Sequence, residues 1–159
     1  MVFRKSILVL FGMLVLFSCK QQSSEYLAHW NFSRQTDDMV RERVGQSLFS
    51  VHSDVHPAEW VEGVDGQALR LDGYSTWVEG KLKNTGLDSV FSFSGWYALA
   101  SYPVDTAAFV SWNSHSGSKR WELGVDSYGR PMVLFYNNGE KVVYRGDQPL
   151  EKYTWQNLV

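Results

Sequence analysis

The chain has one cysteine, Cys19, so no disulfide can form within it and no pair of thiolates can hold zinc. It has no apolar run of the roughly 20 helical residues needed to cross a hydrocarbon core of about 30 Å. Basic charge is not in excess: 15 Lys and Arg stand against 17 Asp and Glu. That balance argues against a nucleic-acid surface and against a polybasic membrane face. Helical periodicity is almost missing after Cys19, as are internal repeats and low-complexity stretches. These absences exclude a disulfide scaffold, a helical membrane span and a solenoid.

What is present begins at the N-terminus. Arg4 and Lys5 precede an apolar run from Ser6 to Phe17, which has the length of a secretory h-region. The run closes on Leu16-Phe17-Ser18-Cys19, which resembles the lipobox of bacterial lipoproteins. The resemblance implies a signal peptide over residues 1–18 and acylation of Cys19 at the new N-terminus. Buried acyl CH₂ groups contribute about 0.8 kcal/mol each, so a few chains hold a domain on a membrane. Residues 19–25 are then the lipidated cysteine and a polar tether. Lys20 is not the aspartate that retains such proteins in the inner membrane, which implies the outer membrane or the cell surface.

Residues 26–159 read as strand, turn, strand at short intervals, the pattern of an all-β sandwich. Candidate strands are Leu27 to Phe32, Ser47 to His52, Gln67 to Asp72, Thr76 to Glu79, Val90 to Ala100 and Ala107 to Trp112. Asp37 to Val44 is expected to be a loop, and Gly95 to bulge its strand. Trp121, Leu123 and Val125 alternate with Arg120, Glu122 and Gly124, giving one dry face and one wet one. Asn138-Gly139 predicts a type I′ hairpin between Met132–Tyr136 and Lys141–Arg145, because that turn needs positive φ. Tyr153 to Val159 alternates and stops in mid-strand, so the sandwich is expected to be truncated at its C-terminus.

Several of these segments resemble the laminin-G-like, concanavalin A-like modules of bacterial polysaccharide-degrading proteins. They are Trp30-Asn31-Phe32, the Gly66-Gln67-Ala68-Leu69-Arg70-Leu71-Asp72-Gly73 stretch, Phe91-Ser92-Phe93-Ser94-Gly95-Trp96-Tyr97 and Thr154 to Val159. Leu71 stands where that pattern has Phe. The resemblance implies a jelly-roll β-sandwich of two antiparallel sheets. Trp96 to Ala108 further resembles the module ahead of the catalytic domain in lipoprotein members of glycoside hydrolase family 32, which hydrolyse fructans or sucrose. That family's Trp-Met-Asn-Asp-Pro-Asn-Gly signature is missing, so a catalytic domain is expected beyond residue 159.

The residues also bear on chemistry. Retaining glycosidases on this fold carry Glu-x-Asp-x-x-Glu, which places two carboxyls about 5–5.5 Å apart. No such run occurs, and Glu59 and Glu62, three apart, point to opposite sides of a strand. His52-x-Asp54-x-His56 would share a face on a continuous strand and is the candidate metal cluster. The fold resemblance implies a structural calcium, with Asp37, Asp38, Asp72 and Asp126 as its candidate ligands. Trp112, Tyr128 and Tyr136 lie near strand ends and are the candidate carbohydrate-stacking residues, whereas Trp96 and Trp121 are expected in the core. The expected function is a non-catalytic carbohydrate-binding or spacer module fronting a surface-anchored glycoside hydrolase. Its partners would be a poly- or oligosaccharide, a membrane through the lipid, and a catalytic domain in the same chain. The alternatives are a stand-alone glycan-binding or adhesion lipoprotein, and a domain that only packs against its neighbour.

Overall fold

In a computed structural model, residues 26–32, 38–82, 90–114 and 116–159 are described. The expected signal peptide, Cys19, the expected tether and Asp37 lie outside them. Among the described residues the chain is all-β, with eleven strands and no helix. The strands form antiparallel sheets with the organisation of a β-sandwich.

The first sheet joins β1 (Met39–Arg41), β2 (Leu48–Ser53) and β5 (Thr76–Glu79) in the order β1-β2-β5. Val40 pairs with Phe49, and Val51 with Val78, so these side chains share the inner face. Val40, Phe49 and Val51 are buried there, and the Trp30 ring meets Phe49 edge-on at 5.3 Å. The intervening β3 (Glu59–Glu62) and β4 (Gln67–Arg70) form a separate hairpin, with Glu59 bonded to Arg70 across it.

The second sheet is a meander of β7 (Ala107–Asn113), β8 (Lys119–Val125), β9 (Pro131–Asn137) and β10 (Glu140–Arg145), in the order β10-β9-β8-β7. Asn138 and Gly139 both have positive φ, as the turn chemistry requires. Before and after the meander, β6 (Gly95–Tyr97) and β11 (Gln156–Leu158) pair with each other.

Alternation explains how the meander is covered. Phe91 and Phe93 lie on the side of their extended segment that meets Trp121, with ring centroids at 4.9 and 6.3 Å. Trp121 is only 7% exposed. Met132 and Leu134 pair with Gly124 and Glu122, so they occupy the opposite face, and they too are buried. The face of β8 expected to be wet is therefore half-closed. Arg120 and Glu122 pair on it at 3.2 Å, next to buried Leu134.

Other sequence expectations need correcting. Leu27 to Phe32 is irregular rather than a strand, because its backbone meets the Glu42 loop instead of a ladder: Arg43 N–H donates to His29 O. The expected loop at Asp37 to Val44 contains β1. No bulge forms at Gly95; the register shift lies between Ala108 and Val110. It frees Phe109 from pairing, and the Phe109 ring stacks on Tyr97 at 4.2 Å. Burial of that Tyr97 hydroxyl pushes its pKa up to about 12.

Candidate functional site

The sequence-predicted stacking residues do not converge. Trp112 pairs with Trp121, while Tyr136 pairs with Arg120, the residue before it. Successive side chains point to opposite faces, so Trp112 and Tyr136 lie on opposite sides of the meander. Trp112 is half-buried beside Trp121. The Tyr136 ring is taken up by two cations: Arg120 stands 4.7 Å from its centroid and Lys141 5.8 Å. Tyr128 is different. It is 71% exposed in the β8–β9 turn, with the Arg130 guanidinium 5.2 Å from its centroid.

That turn is built around Asp126. Its Oδ1 accepts from Tyr128 N and Arg130 N at 3.0 Å each, and its Oδ2 from Arg130 Nε at 2.9 Å. Burial pushes the carboxyl upward, but these bonds and the Arg130 charge hold it below the ordinary aspartate value. Asp72 caps another loop. It accepts from the Ser75 hydroxyl and from the N–H groups of Tyr74, Ser75 and Thr76, all within 2.9 Å. The Ser75 hydroxyl and those amides depress its pKa strongly. Both carboxylates thus cap their own loops.

The His52-Asp54-His56 cluster does not assemble on one strand face. β2 ends at Ser53, whose hydroxyl donates to His56 O, and the chain bends through Asp54 to His56. Among the described residues, no group of three or more His, Cys, Asp and Glu could hold a metal ion. His52 instead pairs with Trp77 on β5 and stacks on it, with centroids 4.8 Å apart and planes 10° from parallel. Glu79, two residues further along the same face, brings Oε2 to 4.0 Å from His52 Nε2.

Two open tryptophans were missed by the sequence reading. Trp77 is 42% exposed and Trp96, expected in the core, is 52% exposed. Trp96 alternates with Tyr97, which takes the inner side, and it pairs with Asn157 on β11. The Asn157 amide donates to Gly95 O and lies within 3.4 Å of the Ser94 hydroxyl. The signal was present in the alternation of Phe91, Phe93 and Tyr97 with Ser92, Ser94 and Trp96.

Glu42 was also missed. It is 1% exposed, and it accepts His29 N–H at 3.0 Å and Val44 and Gly45 N–H at 2.5 Å. Burial pushes the carboxyl up, yet the backbone donors, Ser47 included, bring it below the ordinary glutamate value. It organises the loop between β1 and β2.

The chain is therefore an all-β sandwich whose outward sheet faces carry open indole rings beside polar side chains. No protein-family model and no curated protein sequence matches it. Among solved structures it resembles residues 221–444 of an S-layer domain-containing protein from Clostridium thermocellum. The TM-score is 0.58 and the identity 15%, over 80% of this chain. The match spans 60% of that solved chain, and at this identity it speaks for the fold alone.

Proposed function

We propose that the chain is a non-catalytic carbohydrate-binding module, exported and lipid-anchored through Cys19, that serves a bacterial surface glycoside hydrolase acting on fructan or sucrose. The observation that carries this reading is the outward placing of Trp77, Trp96 and Tyr128. Large rings normally bury most of their surface, and open ones beside polar groups mark binding surfaces. A sugar ring has an apolar C–H face that lies against an aromatic face and a rim of hydroxyls that needs donors and acceptors. The laminin-G-like motifs and the lipobox support the same reading from the sequence. The neighbour's description as an S-layer domain-containing protein agrees with a cell-surface setting.

The test is affinity electrophoresis of the full chain in gels containing levan, inulin, laminarin or arabinogalactan. Retarded migration in at least one neutral polysaccharide is expected. Unretarded migration across the whole panel would sink the carbohydrate reading. Separately, radiolabelled palmitate should be incorporated by the wild type and not by Cys19→Ser; equal labelling of the two would refute the anchor.

A further inference from the structure

We propose that the outer face of β2 and β5 is a docking platform for a neutral sugar ring, with the Trp77 indole face that His52 leaves uncovered as its floor and Glu79 as its hydrogen-bonding edge. The proposal rests on the carbohydrate-binding reading above and names the site and the ligand class within it.

Register puts the three side chains together. Trp77 faces His52 directly, and Glu79 follows Trp77 on the same side of β5. Phe49 and Val51 fill the inner side of β2, so the His52–Trp77 stack is on the face turned away from the core. The near-parallel planes fix the indole orientation before any ligand arrives, which lowers the ordering cost of binding. Glu79 keeps three-quarters of its side chain open, and His52 two-fifths. A carboxylate accepts two sugar hydroxyl protons, while His52, stacked on the other indole face, holds the indole in place. A carboxylate next to an aromatic face matches a polyol ring better than a peptide side chain. Glu79 also selects on charge. A uronate or sulfated sugar would meet a carboxylate at the edge of the platform, and a neutral ring would not.

Tyr144 is the control: its ring is exposed on β10, outside this platform.

The experiment is isothermal titration of the full chain and its variants with whichever neutral polysaccharide retards it, and with polygalacturonate. Trp77→Ala should weaken neutral-glycan binding about tenfold or more, the scale of losing one aromatic stacking platform. Glu79→Gln should weaken it about fivefold, the scale of one hydrogen bond, while Tyr144→Ala leaves it unchanged. Near-UV circular dichroism checks that Trp77→Ala is folded. If it is not, Glu79→Gln, which removes no packing, decides alone. Wild-type binding that survives both Trp77→Ala and Glu79→Gln overturns the platform and leaves the carbohydrate function standing. Tighter binding of polygalacturonate than of any neutral glycan overturns the ligand class. A wild type that binds none of them removes the carbohydrate function and the platform with it.

Discussion

Gly129 is a position where the sandwich should be sensitive to a single methyl group. Its φ is +79°, and a Cβ built there would stand less than 3.0 Å from three carbons of the Tyr102 ring. That ring cannot swing aside freely. Its hydroxyl donates to Leu150 O at 2.8 Å, Leu150 N–H donates back to Gly129 O at 2.8 Å, and Leu150 is buried. Gly129→Ala therefore meets two separate costs. A left-handed backbone costs an L-residue about 1–2 kcal/mol, and forcing a methyl into a packed contact adds about 1–3 kcal/mol. The sum is about 2–5 kcal/mol.

Gly139 provides the comparison. Its φ is +92°, but a Cβ there would meet nothing within 4 Å. Gly139→Ala should bear the backbone cost alone, about 1–2 kcal/mol. With a urea m-value of about 2 kcal/mol/M, the midpoint should fall by about 1–2.5 M for Gly129→Ala and about 0.5–1 M for Gly139→Ala. Tyr102→Ala completes the cycle: once the ring is gone, adding Gly129→Ala should cost no more than Gly139→Ala does. Equal costs for the two glycines in the wild-type background would refute the reasoning. So would a Gly129→Ala penalty that persists without the Tyr102 ring.

Trp121→Ala should cost about 3–5 kcal/mol by opening a cavity beneath Phe91 and Phe93, read as a lowered urea midpoint; a loss under 1 kcal/mol would mean that the ring is not core. Glu42→Gln should cost about 2–3 kcal/mol, because an amide presents an N–H₂ where the loop offers only donors; a neutral effect on the midpoint would remove the proposed role. Glu42, Asp72 and Asp126 are all depressed below their ordinary values of 4.5 and 3.8. Groups depressed in the folded state bind fewer protons there than when unfolded, so their stabilisation is complete above the ordinary carboxylate range and is lost as pH falls through the lowered native values. The urea midpoint should hold from pH 7 to about pH 5 and then drop. A midpoint that stays level to pH 3 would contradict the hydrogen-bonded loops, and in Glu42→Gln the drop should be shallower.

The contrast between legible and illegible parts of this fold follows from the range of the interactions. Thr76–Glu79, the Trp121–Leu123–Val125 alternation and the Asn138-Gly139 turn were legible because each rests on neighbours within a few residues. β1 was not, since three residues of Met-Val-Arg carry no pattern and the strand exists only through pairing with β2. Glu42 is set up by donors from its own loop and from His29, thirteen residues away, which no local pattern encodes. Leu27 to Phe32 shows the converse: extended, aromatic sequence without a strand partner remains irregular.

The candidate site failed to be legible for a sharper reason, and that reason bears on where ligands bind. A period of two says which residues share a face; it does not say which face a second layer will cover. Trp121 and Trp96 both sit in alternating strands, yet Phe91 and Phe93 cover the first, while the second pairs with Asn157 on the outside. Trp112 and Tyr136 were chosen for their nearness to strand ends, and the sheet sends them to opposite faces, one beside Trp121 and one under Arg120. The indoles that stay open lie within strands outside the meander, at Trp77 and Trp96. In this chain the choice between core and binding surface is therefore made outside the strand itself: Trp121, covered by Phe91 and Phe93, is buried, whereas Trp77 opposite His52 and Trp96 opposite Asn157 stay open.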